Sequence, residues 1–293
     1  MATQESTGDR PVAPPYEYLR PKKKFPNLWC AGCGIGIVMH AIIRAIDRLG
    51  LSKDEVAMLS GIGCTGRMPV YLDFNTMHTT HGRALAFATG LKLAKPDMQI
   101  LAVMGDGDAL AIGGNHFIHT ARRNIDLTAI VVNNQTYGMT GGQISPTTPM
   151  DMLATTAPYG NIDQPMPICD IATAAGASFV ARSTVYHARE LDSLIERAMR
   201  KKGFAVVEAV SYCHTSYGRL NKLGRAVDMM RALKDDSITV EMAAKLSPEE
   251  VKGKIVRGVL LDREIPEYGA LYRQIVEKAQ AGERAGVLQV PER

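Results

Sequence analysis

A strand–helix–strand unit near the middle of the sequence constrains the fold most. Two apolar runs, residues 99–104 and 127–132, have the length and composition of buried strands. Residues 113–123, which lie between them, have the length and polarity of a helix. A unit of this kind places the ends of both strands at the same edge of a parallel sheet, so the residues that follow the strands converge there.

Short polar motifs follow both predicted strands. Gly105-Asp106-Gly107 comes after the first strand, and Asn133-Asn134 comes after the second. The glycines let the backbone approach phosphate oxygens and offer amides to them. One carboxylate, one amide oxygen and a main-chain carbonyl suit a hard cation that also keeps phosphate and water ligands. The motifs therefore predict a cradle for magnesium and a diphosphate. The alternative is two polar turns that end ordinary core strands.

Five cysteines carry the second chemical signal. Cys30 and Cys33 form a Cys-x-x-Cys pair just before a predicted helix, whose amide dipoles favour anionic sulfur. Cys64 follows the predicted apolar strand of residues 56–60, and Cys213 follows that of residues 204–210. The polar start of the chain has no signal-peptide pattern, and a cytosolic chain seldom uses disulfides. Three loops are thus expected to deliver four thiolates, enough for a [4Fe–4S] cluster or a Cys₄ zinc site.

The cysteine spacing alone does not choose between iron–sulfur and zinc, because only one pair is local in sequence. A thioredoxin-like redox pair is a third interpretation. It is weaker, because the fold context it needs is missing and two further cysteines lie on comparable loops. Cys169, beside a predicted helix, is expected to be a small buried apolar residue.

Together, the two signals resemble the β subunits of the 2-oxoacid:ferredoxin oxidoreductases, most of all those of the 2-oxoglutarate type. The segment from Gly105-Asp106-Gly107 to Asn133-Asn134 resembles the thiamine diphosphate motif. The likeness runs from about residue 29 to residue 218. The matching segments are residues 29–34, 61–64, 78–84, 105–108, 133–134 and 137–143.

The resemblance implies oxidative decarboxylation of a 2-oxoacid, with coenzyme A as acyl acceptor and ferredoxin as electron acceptor. It implies three cofactors: thiamine diphosphate, Mg²⁺ and a [4Fe–4S] cluster. Thiamine enzymes of this architecture take an activating glutamate from a second α/β domain, and the sequence predicts only one. An α subunit, or a fused γα subunit, is therefore expected to supply it. The expected substrate is 2-oxoglutarate; pyruvate or a broad range of 2-oxoacids is the alternative.

The resemblance also assigns residues. The metal ligands it implies are Asp106, Asn134 and the main chain of Thr136 for Mg²⁺, and Cys30, Cys33, Cys64 and Cys213 for the cluster. The residues it implies at the thiamine cofactor are Gly63, Cys64, Thr65, His81, Gly105, Asp106, Gly107, Asp108, Asn134, Thr136, Gly138, Met139 and Thr140. The residues expected beside the reacting atoms are Arg67, His81, Met139 and Thr140.

Four of these residues have plain structural alternatives. The Arg67 guanidinium could pair with a substrate carboxylate in a bidentate fork, or it could be a surface or subunit-contact arginine. His81 could face the cofactor or be a structural histidine. Asp108 could bond a diphosphate-bound water or a neighbouring amide. The Thr65 hydroxyl could contact the cofactor or serve only the turn.

Composition and charge narrow the function class. The net charge of +4 is dispersed, which gives no argument for nucleic acid, and no apolar run reaches the length of a membrane span. The run Lys22-Lys23-Lys24 is expected to be solvated, with docking against a partner subunit as the alternative. A cytoplasmic protein is expected.

Apolar runs alternate with helical stretches throughout, which predicts an α/β fold with a doubly wound, mostly parallel sheet. We expect an N-terminal arm over residues 1–28, a cofactor-binding domain over residues 29–218, and a peripheral C-terminal extension of helices and loops over residues 219–293.

Two interpretations from other classes stay open at this point. A non-redox thiamine enzyme subunit would use the aspartate and asparagine motifs but would not need four loop cysteines. A zinc-stabilised nucleotide- or protein-binding module would explain the cysteines but not the spacing of the polar motifs. Metal content separates the three.

Overall fold

The computed structural model describes residues 15–23 and 27–282. Parts of the predicted N-terminal arm, including Lys24 of the lysine run, lie outside these residues. So do residues 283–293 of the predicted C-terminal extension.

Within the described residues, eight strands form one sheet in the order β2-β1-β3-β4-β6-β5-β8-β7. The strands are β1 (Val56–Ser60), β2 (Asn75–His78), β3 (Gln99–Gly105), β4 (Leu127–Asn133), β5 (Phe179–Thr184), β6 (Phe204–Val210), β7 (Ser237–Thr239) and β8 (Ile255–Asp262). Strands β1 to β6 are all parallel, and only the pair β5–β8 is antiparallel. The predicted fold class is confirmed.

The helices of the described residues lie mainly on the two faces of this sheet. They are α1 (Ile35–Leu49), α2 (Ala84–Ala94), α3 (Gly114–Arg122), α4 (Ile168–Ala175), α5 (Ala188–Arg200), α6 (Ala226–Asp235), α7 (Val240–Ala243), α8 (Pro248–Val251) and α9 (Tyr268–Gln280). The predicted strand–helix–strand unit is β3–α3–β4.

The side chains of β3 show why the sheet is covered on both faces. Leu101 and Val103 pack in the apolar cluster of one face, and Ile100 and Ala102 pack in the cluster of the other. Helices α1 and α5 cover the first face, while α2, α3 and α4 cover the second. Every residue of β4 is also buried. Parallel strands buried on both faces are apolar at consecutive positions, which is the pattern seen in the sequence.

The loops that follow β1, β3, β4 and β6 leave the carboxyl edge of the sheet, where α/β proteins of this topology bind ligands. Helix α2 begins at Ala84, three residues after His81. Residues 81–83 form a turn, because Gly82 has a φ of 73° and leaves the helical conformation. This turn faces the same edge.

The C-terminal extension differs from the expectation of helices and loops alone. Strand β8 pairs antiparallel with β5 and extends the main sheet, and β7 pairs with β8. The sequence of β8, Ile-Val-Arg-Gly-Val-Leu-Leu-Asp, is an apolar run among charged neighbours. An antiparallel edge strand on a parallel sheet is a common arrangement. No helix of the described residues is both long and apolar enough to cross a bilayer.

Candidate functional site

Two adjoining cavities open at the carboxyl edge of the sheet. The aspartate cavity, of about 100 Å³, lies among the loops after β1, β3 and β4. Every residue that the sequence assigned to the thiamine cofactor lines it, and so do Ile62 and Tyr137. The cysteine cavity, of about 410 Å³, is lined by Cys30, Cys33, Cys64 and Cys213. Residues shared by both linings are Cys64, Asn134, Gly138 and Met139.

Asp106 is buried at the end of β3, at the start of a π-helical turn. Its Oδ2 accepts hydrogen bonds from the Ser145 hydroxyl at 2.6 Å and from the Thr147 hydroxyl at 2.5 Å. Burial raises the pKa of Asp106, and the two hydroxyl donors oppose that rise. A buried carboxylate that is held by donors on one oxygen is suited to bind a cation, which would stabilise its charged form.

The hydroxyl of Thr147 connects Asp106 to a deeper polar network. Its oxygen also lies 2.9 Å from Oδ1 of Asn133. The Asn133 amide donates to Oε1 of Glu208 at 2.8 Å, and Glu208 Oε2 accepts from Arg182 Nε at 2.7 Å. Burial works against the charge of Arg182, but the Glu208 carboxylate outweighs it and raises the pKa of the guanidinium. This buried ion pair thus fixes the side chain next to the predicted metal ligand Asn134.

Cys169 belongs to this network and not to the cysteine cavity. It is only 1 % exposed, as expected for a small buried residue, and its thiol donates to Glu208 Oε2 at 3.1 Å. Burial raises the pKa of the thiol, and the nearby Glu208 carboxylate adds to the rise. Cys169 is therefore kept as a neutral thiol inside the protein.

The turn after β4 positions the other two predicted magnesium ligands. Gln135 adopts a φ of 61°, which is uncommon for a residue other than glycine and turns the chain sharply between Asn134 and Thr136. Thr136 N lies 3.4 Å from Asn134 Oδ1, and the Thr136 carbonyl accepts a hydrogen bond from Gly138 N at 3.1 Å. A carbonyl oxygen has a second lone pair, so this bond leaves Thr136 able to act as a ligand.

The glycine-rich loop after these residues is a closed, hydrogen-bonded turn. Tyr137 N donates to the Gln143 carbonyl at 3.2 Å, and Gly142 N donates to the Tyr137 carbonyl at 2.9 Å. The Thr140 hydroxyl donates to Gln143 Oε1 at 2.6 Å. The turn leaves the Met139 side chain 43 % exposed at the junction of the two cavities.

The two glycines that flank Asp106 differ in surroundings. A Cβ atom added to Gly107 would lie 2.2 Å from the ring of Tyr137, whereas one added to Gly105 would meet nothing closer than the Thr65 hydroxyl at 3.8 Å. Gly107 is therefore required for packing against an aromatic ring, a reason that the sequence motif does not reveal. Thr65 is buried in the lining of the aspartate cavity.

Asp108 bonds neighbouring amides and a histidine. Its Oδ1 accepts from Gly82 N at 2.7 Å, from Ile62 N at 3.3 Å and from His81 Nδ1 at 2.6 Å. Its Oδ2 is buried and has no hydrogen-bond partner among the described residues. Asp108 thus ties together the loops after β1, β2 and β3, and it holds the His81 ring by Nδ1, so that Nε2 stays available at the cavity.

The four cavity cysteines come from three loops, as expected. A Cβ atom added to Gly138 would lie 3.3 Å from Cys213 Sγ and 3.7 Å from Cys64 Sγ, so both sulfurs border this glycine. The Thr215 hydroxyl lies 3.7 Å from Cys30 Sγ and 3.6 Å from Cys213 Sγ.

The helix start beside the Cys-x-x-Cys pair favours the anionic form of Cys33, as expected, but burial opposes it. Burial raises the pKa of both Cys33 and Cys64 to about 11, and the other cavity thiols add to the rise. The amide of Ile35 at the start of α1 lowers the pKa of Cys33, and the amide of Met139 lowers that of Cys64. Desolvation outweighs these dipoles, so these thiols favour the anionic form only with a cationic group in place.

The size of the cysteine cavity bears on the kind of metal group it could hold. Four thiols line a cavity of about 410 Å³, which has room for a group larger than one zinc ion.

Arg67 lies outside the lining of both cavities. It is half-buried in the 3₁₀ helix Thr65–Val70, three residues after Cys64. In the part of the chain that the structure describes, its guanidinium has neither a hydrogen-bond nor an ion-pair partner. The structure therefore does not bring Arg67 together with His81, Met139 and Thr140, which all line the aspartate cavity.

Sequence reasoning missed several residues that support the site. Ser145 and Thr147 orient Asp106, Tyr137 packs on Gly107, and the Trp29 indole donates to the Cys64 carbonyl at 2.8 Å. The polar run Ser-Pro-Thr-Thr, directly after the glycine-rich loop, was the available signal for the two hydroxyls.

Comparisons with known proteins agree with this geometry. Residues 61–209 match the family model described as "Thiamine pyrophosphate enzyme, C-terminal TPP binding domain". The 2-oxoglutarate synthase subunit KorB of Methanocaldococcus jannaschii is 49 % identical over 268 residues, covering 92 % of this chain and 99 % of that protein. The 2-oxoacid:ferredoxin oxidoreductase subunit beta of Saccharolobus solfataricus is 38 % identical over 240 residues, covering 81 % and 78 %.

A solved structure matches nearly the whole chain. It is the 2-oxoglutarate:ferredoxin oxidoreductase from Magnetococcus marinus with 2-oxoglutarate, coenzyme A and succinyl-CoA bound. The TM-score is 0.81 at 32 % sequence identity, and the match covers 97 % of this chain and 96 % of that one. The likeness therefore extends through both cavities and into the C-terminal strands.

Proposed function

The chain belongs to the family of β subunits of the 2-oxoacid:ferredoxin oxidoreductases, and from this premise we propose that it acts on 2-oxoglutarate. The reaction is the oxidative decarboxylation of 2-oxoglutarate with coenzyme A to succinyl-CoA and carbon dioxide, with two electrons passed to ferredoxin. The substrate, coenzyme A and the product are the compounds bound in the related Magnetococcus marinus enzyme.

One observation carries the proposal: the two cavities share part of their lining. Cys64 is a cavity thiol that also lines the aspartate cavity, and Asn134 and Met139 line both as well. Oxidation of a 2-oxoacid releases two electrons, which an iron–sulfur carrier accepts one at a time. A one-electron group next to a thiamine site therefore has a chemical reason, whereas two unrelated structural sites would not need a common wall.

The residues of the aspartate cavity fit a magnesium–diphosphate group. Asp106 would supply a carboxylate oxygen, Asn134 an amide oxygen and Thr136 a main-chain carbonyl, which are the ligand types that Mg²⁺ prefers. Ser145 and Thr147 hold Asp106 by one oxygen in advance, which reduces the cost of ordering the ligand.

The residues of the cysteine cavity fit a [4Fe–4S] cluster better than zinc. Cys30, Cys33, Cys64 and Cys213 would supply four thiolates around a cavity of about 410 Å³, which has room for a cluster. Zinc also has no redox chemistry, so a zinc site would not explain why the two cavities share lining residues. This argument favours the redox enzyme over a non-redox thiamine enzyme with structural zinc.

When bound, thiamine diphosphate supplies the nucleophilic carbon and the electron sink for decarboxylation, and the iron–sulfur cluster supplies one-electron transfer. The chain's own residues orient the reactants. Asp108 fixes the His81 ring so that Nε2 is available as a hydrogen-bonding and proton-carrying atom at the cavity. Met139 and Thr140 line the cavity and would border the reacting end of the bound cofactor.

A second subunit completes the active site. The acidic residues that line the aspartate cavity are Asp106 and Asp108, and no glutamate of the described residues lines either cavity. We therefore propose that an α or fused γα subunit supplies the glutamate that activates the thiamine ring, and that the isolated chain has no turnover. A cytoplasmic location is consistent with four free thiols as ligands.

The substrate assignment has its own test in Arg67. Because this half-buried cation lacks a partner among the described residues, we propose that it binds the distal carboxylate of 2-oxoglutarate once the partner subunit closes the site. Arg67→Ala in the holoenzyme should raise KM for 2-oxoglutarate by about tenfold or more, as for loss of a charge-assisted hydrogen bond of about 1.5–3 kcal/mol. KM for 2-oxobutyrate, which has no distal carboxylate, should stay unchanged.

Equal effects of Arg67→Ala on the two substrates would contradict the assignment of Arg67 to the distal carboxylate. A higher kcat/KM of the unaltered enzyme for pyruvate than for 2-oxoglutarate would contradict the proposal that 2-oxoglutarate is the substrate.

The first test of the proposed function is metal content. The chain should be purified without oxygen in complex with its partner subunit, and iron, acid-labile sulfide, zinc and magnesium measured. About four irons and four sulfides per chain are expected, with an electron paramagnetic resonance signal after dithionite reduction. Cys64→Ser should lose the signal, whereas Cys169→Ser, in a buried thiol outside the cavity, should keep it. Stoichiometric zinc without iron would contradict the redox function.

A further inference from the structure

The outer rim of the cysteine cavity lies next to a positively charged loop that the proposed chemistry does not use. Cys30 and Thr215 are exposed at this rim. The loop of residues 219–225, which we name the basic loop, contributes Arg219, Lys222 and Arg225, all exposed to solvent.

The charged residues in the segments that carry the cavity cysteines are all basic. The segments that deliver the cavity cysteines, residues 27–46, 61–72 and 211–227, contain no aspartate or glutamate. Over the described residues, neither Arg219 nor Lys222 has an ion-pair partner. Arg225 pairs only with Asp228, at 3.4 Å and largely in solvent. The positive charge of the loop is therefore available to a negatively charged partner.

The fold places the basic loop beside the Cys-x-x-Cys segment. The loop begins directly after the π-helical turn His214–Gly218, which follows Cys213. It ends just before Ala226, the first residue of α6. A Cβ atom added to Gly32 would lie 2.8 Å from the Cβ of Ala226. Gly32 stands between the two cysteines of the pair, so both ends of the loop lie next to segments that carry cavity cysteines.

The basic loop is also held in one shape. Leu223 N donates to the Gly218 carbonyl at 2.9 Å. The Asn221 side chain donates to the Leu153 carbonyl at 2.9 Å and accepts from Leu153 N at 2.8 Å. Leu220 and Leu223 remain 40 % and 38 % exposed between the cations. A fixed surface of cations with a few apolar side chains suits a small interface that forms and dissolves quickly.

We propose that the basic loop and the exposed Cys30 rim form the docking surface for an acidic iron–sulfur protein that takes the electrons from this chain. This inference rests on the proposed function, because it needs a cluster held by the cavity cysteines. Electron transfer slows steeply with distance, and Cys30 lies at the exposed edge of the cavity. Each docked carrier takes one electron, so two carriers are reduced in turn for each 2-oxoacid oxidised.

The experiment uses the holoenzyme with substrate and coenzyme A, and a purified acidic [4Fe–4S] ferredoxin as the probe. The variant is Arg219→Glu/Lys222→Glu. The matched control is Arg122→Glu/Arg123→Glu, which reverses two exposed charges. These arginines lie at the end of α3, near the amino end of β4, whereas the cavities lie at the carboxyl edge of the sheet. The second-order rate of ferredoxin reduction is measured at several salt concentrations, beside the rate with methyl viologen, a small dye that needs no docking surface.

For the loop variant we expect the ratio of the ferredoxin rate to the dye rate to fall about 10- to 100-fold at low salt. The deficit should shrink as salt rises, because salt screens exposed charges. The control should keep the ratio of the unaltered enzyme. An unchanged ratio in the loop variant would overturn the inference, and so would loss of the partner subunit during its purification, since the loop would then be a subunit contact. Absence of iron in the unaltered complex would instead contradict the proposed function itself.

Discussion

The two adjoining cavities are built in opposite ways. In the aspartate cavity the acidic side chains Asp106 and Asp108 are buried and take hydrogen bonds from hydroxyls, amides and an imidazole. In the cysteine cavity the chemistry-bearing atoms are thiols, one of them exposed, and the Thr215 hydroxyl beside two of them is exposed as well. One cavity is held from beneath by a polar network, and the other opens at its rim to solvent.

The difference follows from what each cavity is proposed to hold. A hard cation and a diphosphate are bound through oriented oxygens and amides, whose geometry must be set before binding. A cluster is bound through covalent bonds to four thiolates, so little more is needed to fix it, and an electron has to leave through an exposed edge. The comparison predicts that substitutions under the aspartate cavity change cofactor binding, whereas those at the cysteine rim change electron transfer.

The largest effect is expected for the aspartate itself. Asp106→Asn in the holoenzyme should abolish Mg²⁺-dependent binding of thiamine diphosphate, measured by isothermal titration calorimetry, because the buried carboxylate that two hydroxyls orient toward the cation site is lost. Iron content should remain at the unaltered level. Asp97→Asn, at an exposed aspartate, serves as the control. If Asp106→Asn bound thiamine diphosphate with the unaltered affinity, the aspartate cavity would not be the cofactor site that the comparison assumes.

The buried ion pair beneath the aspartate cavity should come next. Arg182→Met leaves the Glu208 carboxylate buried without its cation, which should lower the free energy of unfolding by about 3–5 kcal/mol. Arg182→Met/Glu208→Gln should recover part of that loss. The exposed pair Arg197–Asp262 offers the matched control, and Arg197→Met should cost at most about 1 kcal/mol. Denaturant unfolding of the complex measures all three variants. Equal losses of unfolding free energy at the two pairs would show that the buried pair adds no more stability than an exposed one.

A smaller and more specific effect is expected for Thr147. Thr147→Val removes one donor to Asp106 without changing the shape of the side chain, and it should weaken Mg²⁺-dependent thiamine diphosphate binding by about 10- to 100-fold. The exposed Thr155 is the control position, where Thr155→Val should bind normally. Iron content should be unchanged in both. A Thr147→Val complex that binds the cofactor normally would mean that Ser145 alone orients the carboxylate.

The smallest effect is expected at the cysteine rim. The Thr215 hydroxyl lies close to two cavity sulfurs, and hydrogen bonds to thiolates raise the reduction potential of a cluster. Thr215→Val should therefore lower the midpoint potential in a redox titration followed by electron paramagnetic resonance. Thr215→Ser, which keeps the hydroxyl, should stay near the unaltered value. A shift in thiamine diphosphate affinity without a shift in potential would reverse the comparison.

Much of this architecture could be predicted from the sequence. The apolar runs of β1, β3, β4 and β6 were predicted to within about a residue, because strands buried on both faces leave a continuous apolar signal. The aspartate, asparagine and cysteine motifs were recognised because the residues of each stand next to one another at a strand or helix end. The convergence of these ends follows from parallel topology alone.

Other features could not be predicted because they depend on residues that are distant in sequence. Ser145 and Thr147 meet Asp106 across about forty positions, and Glu208 meets Asn133 across 75. Strand β8 was missed because half-buried edge strands next to charged helices give a weak pattern. At Cys33 the helix start is visible in the sequence, whereas the burial that opposes its effect on the pKa is not.

The sequence by itself determined the fold class, the position of the chemistry at the carboxyl edge of the sheet, and the family. These depend on local patterns and on the geometry of parallel strands. Only the tertiary structure decided that the two cavities share a wall, that a buried ion pair supports one of them, that Asp108 holds His81, and that Arg67 stays outside both linings. The physical reason is that burial, desolvation and hydrogen-bond partnership belong to the packed arrangement of distant segments, and no short stretch of sequence contains them.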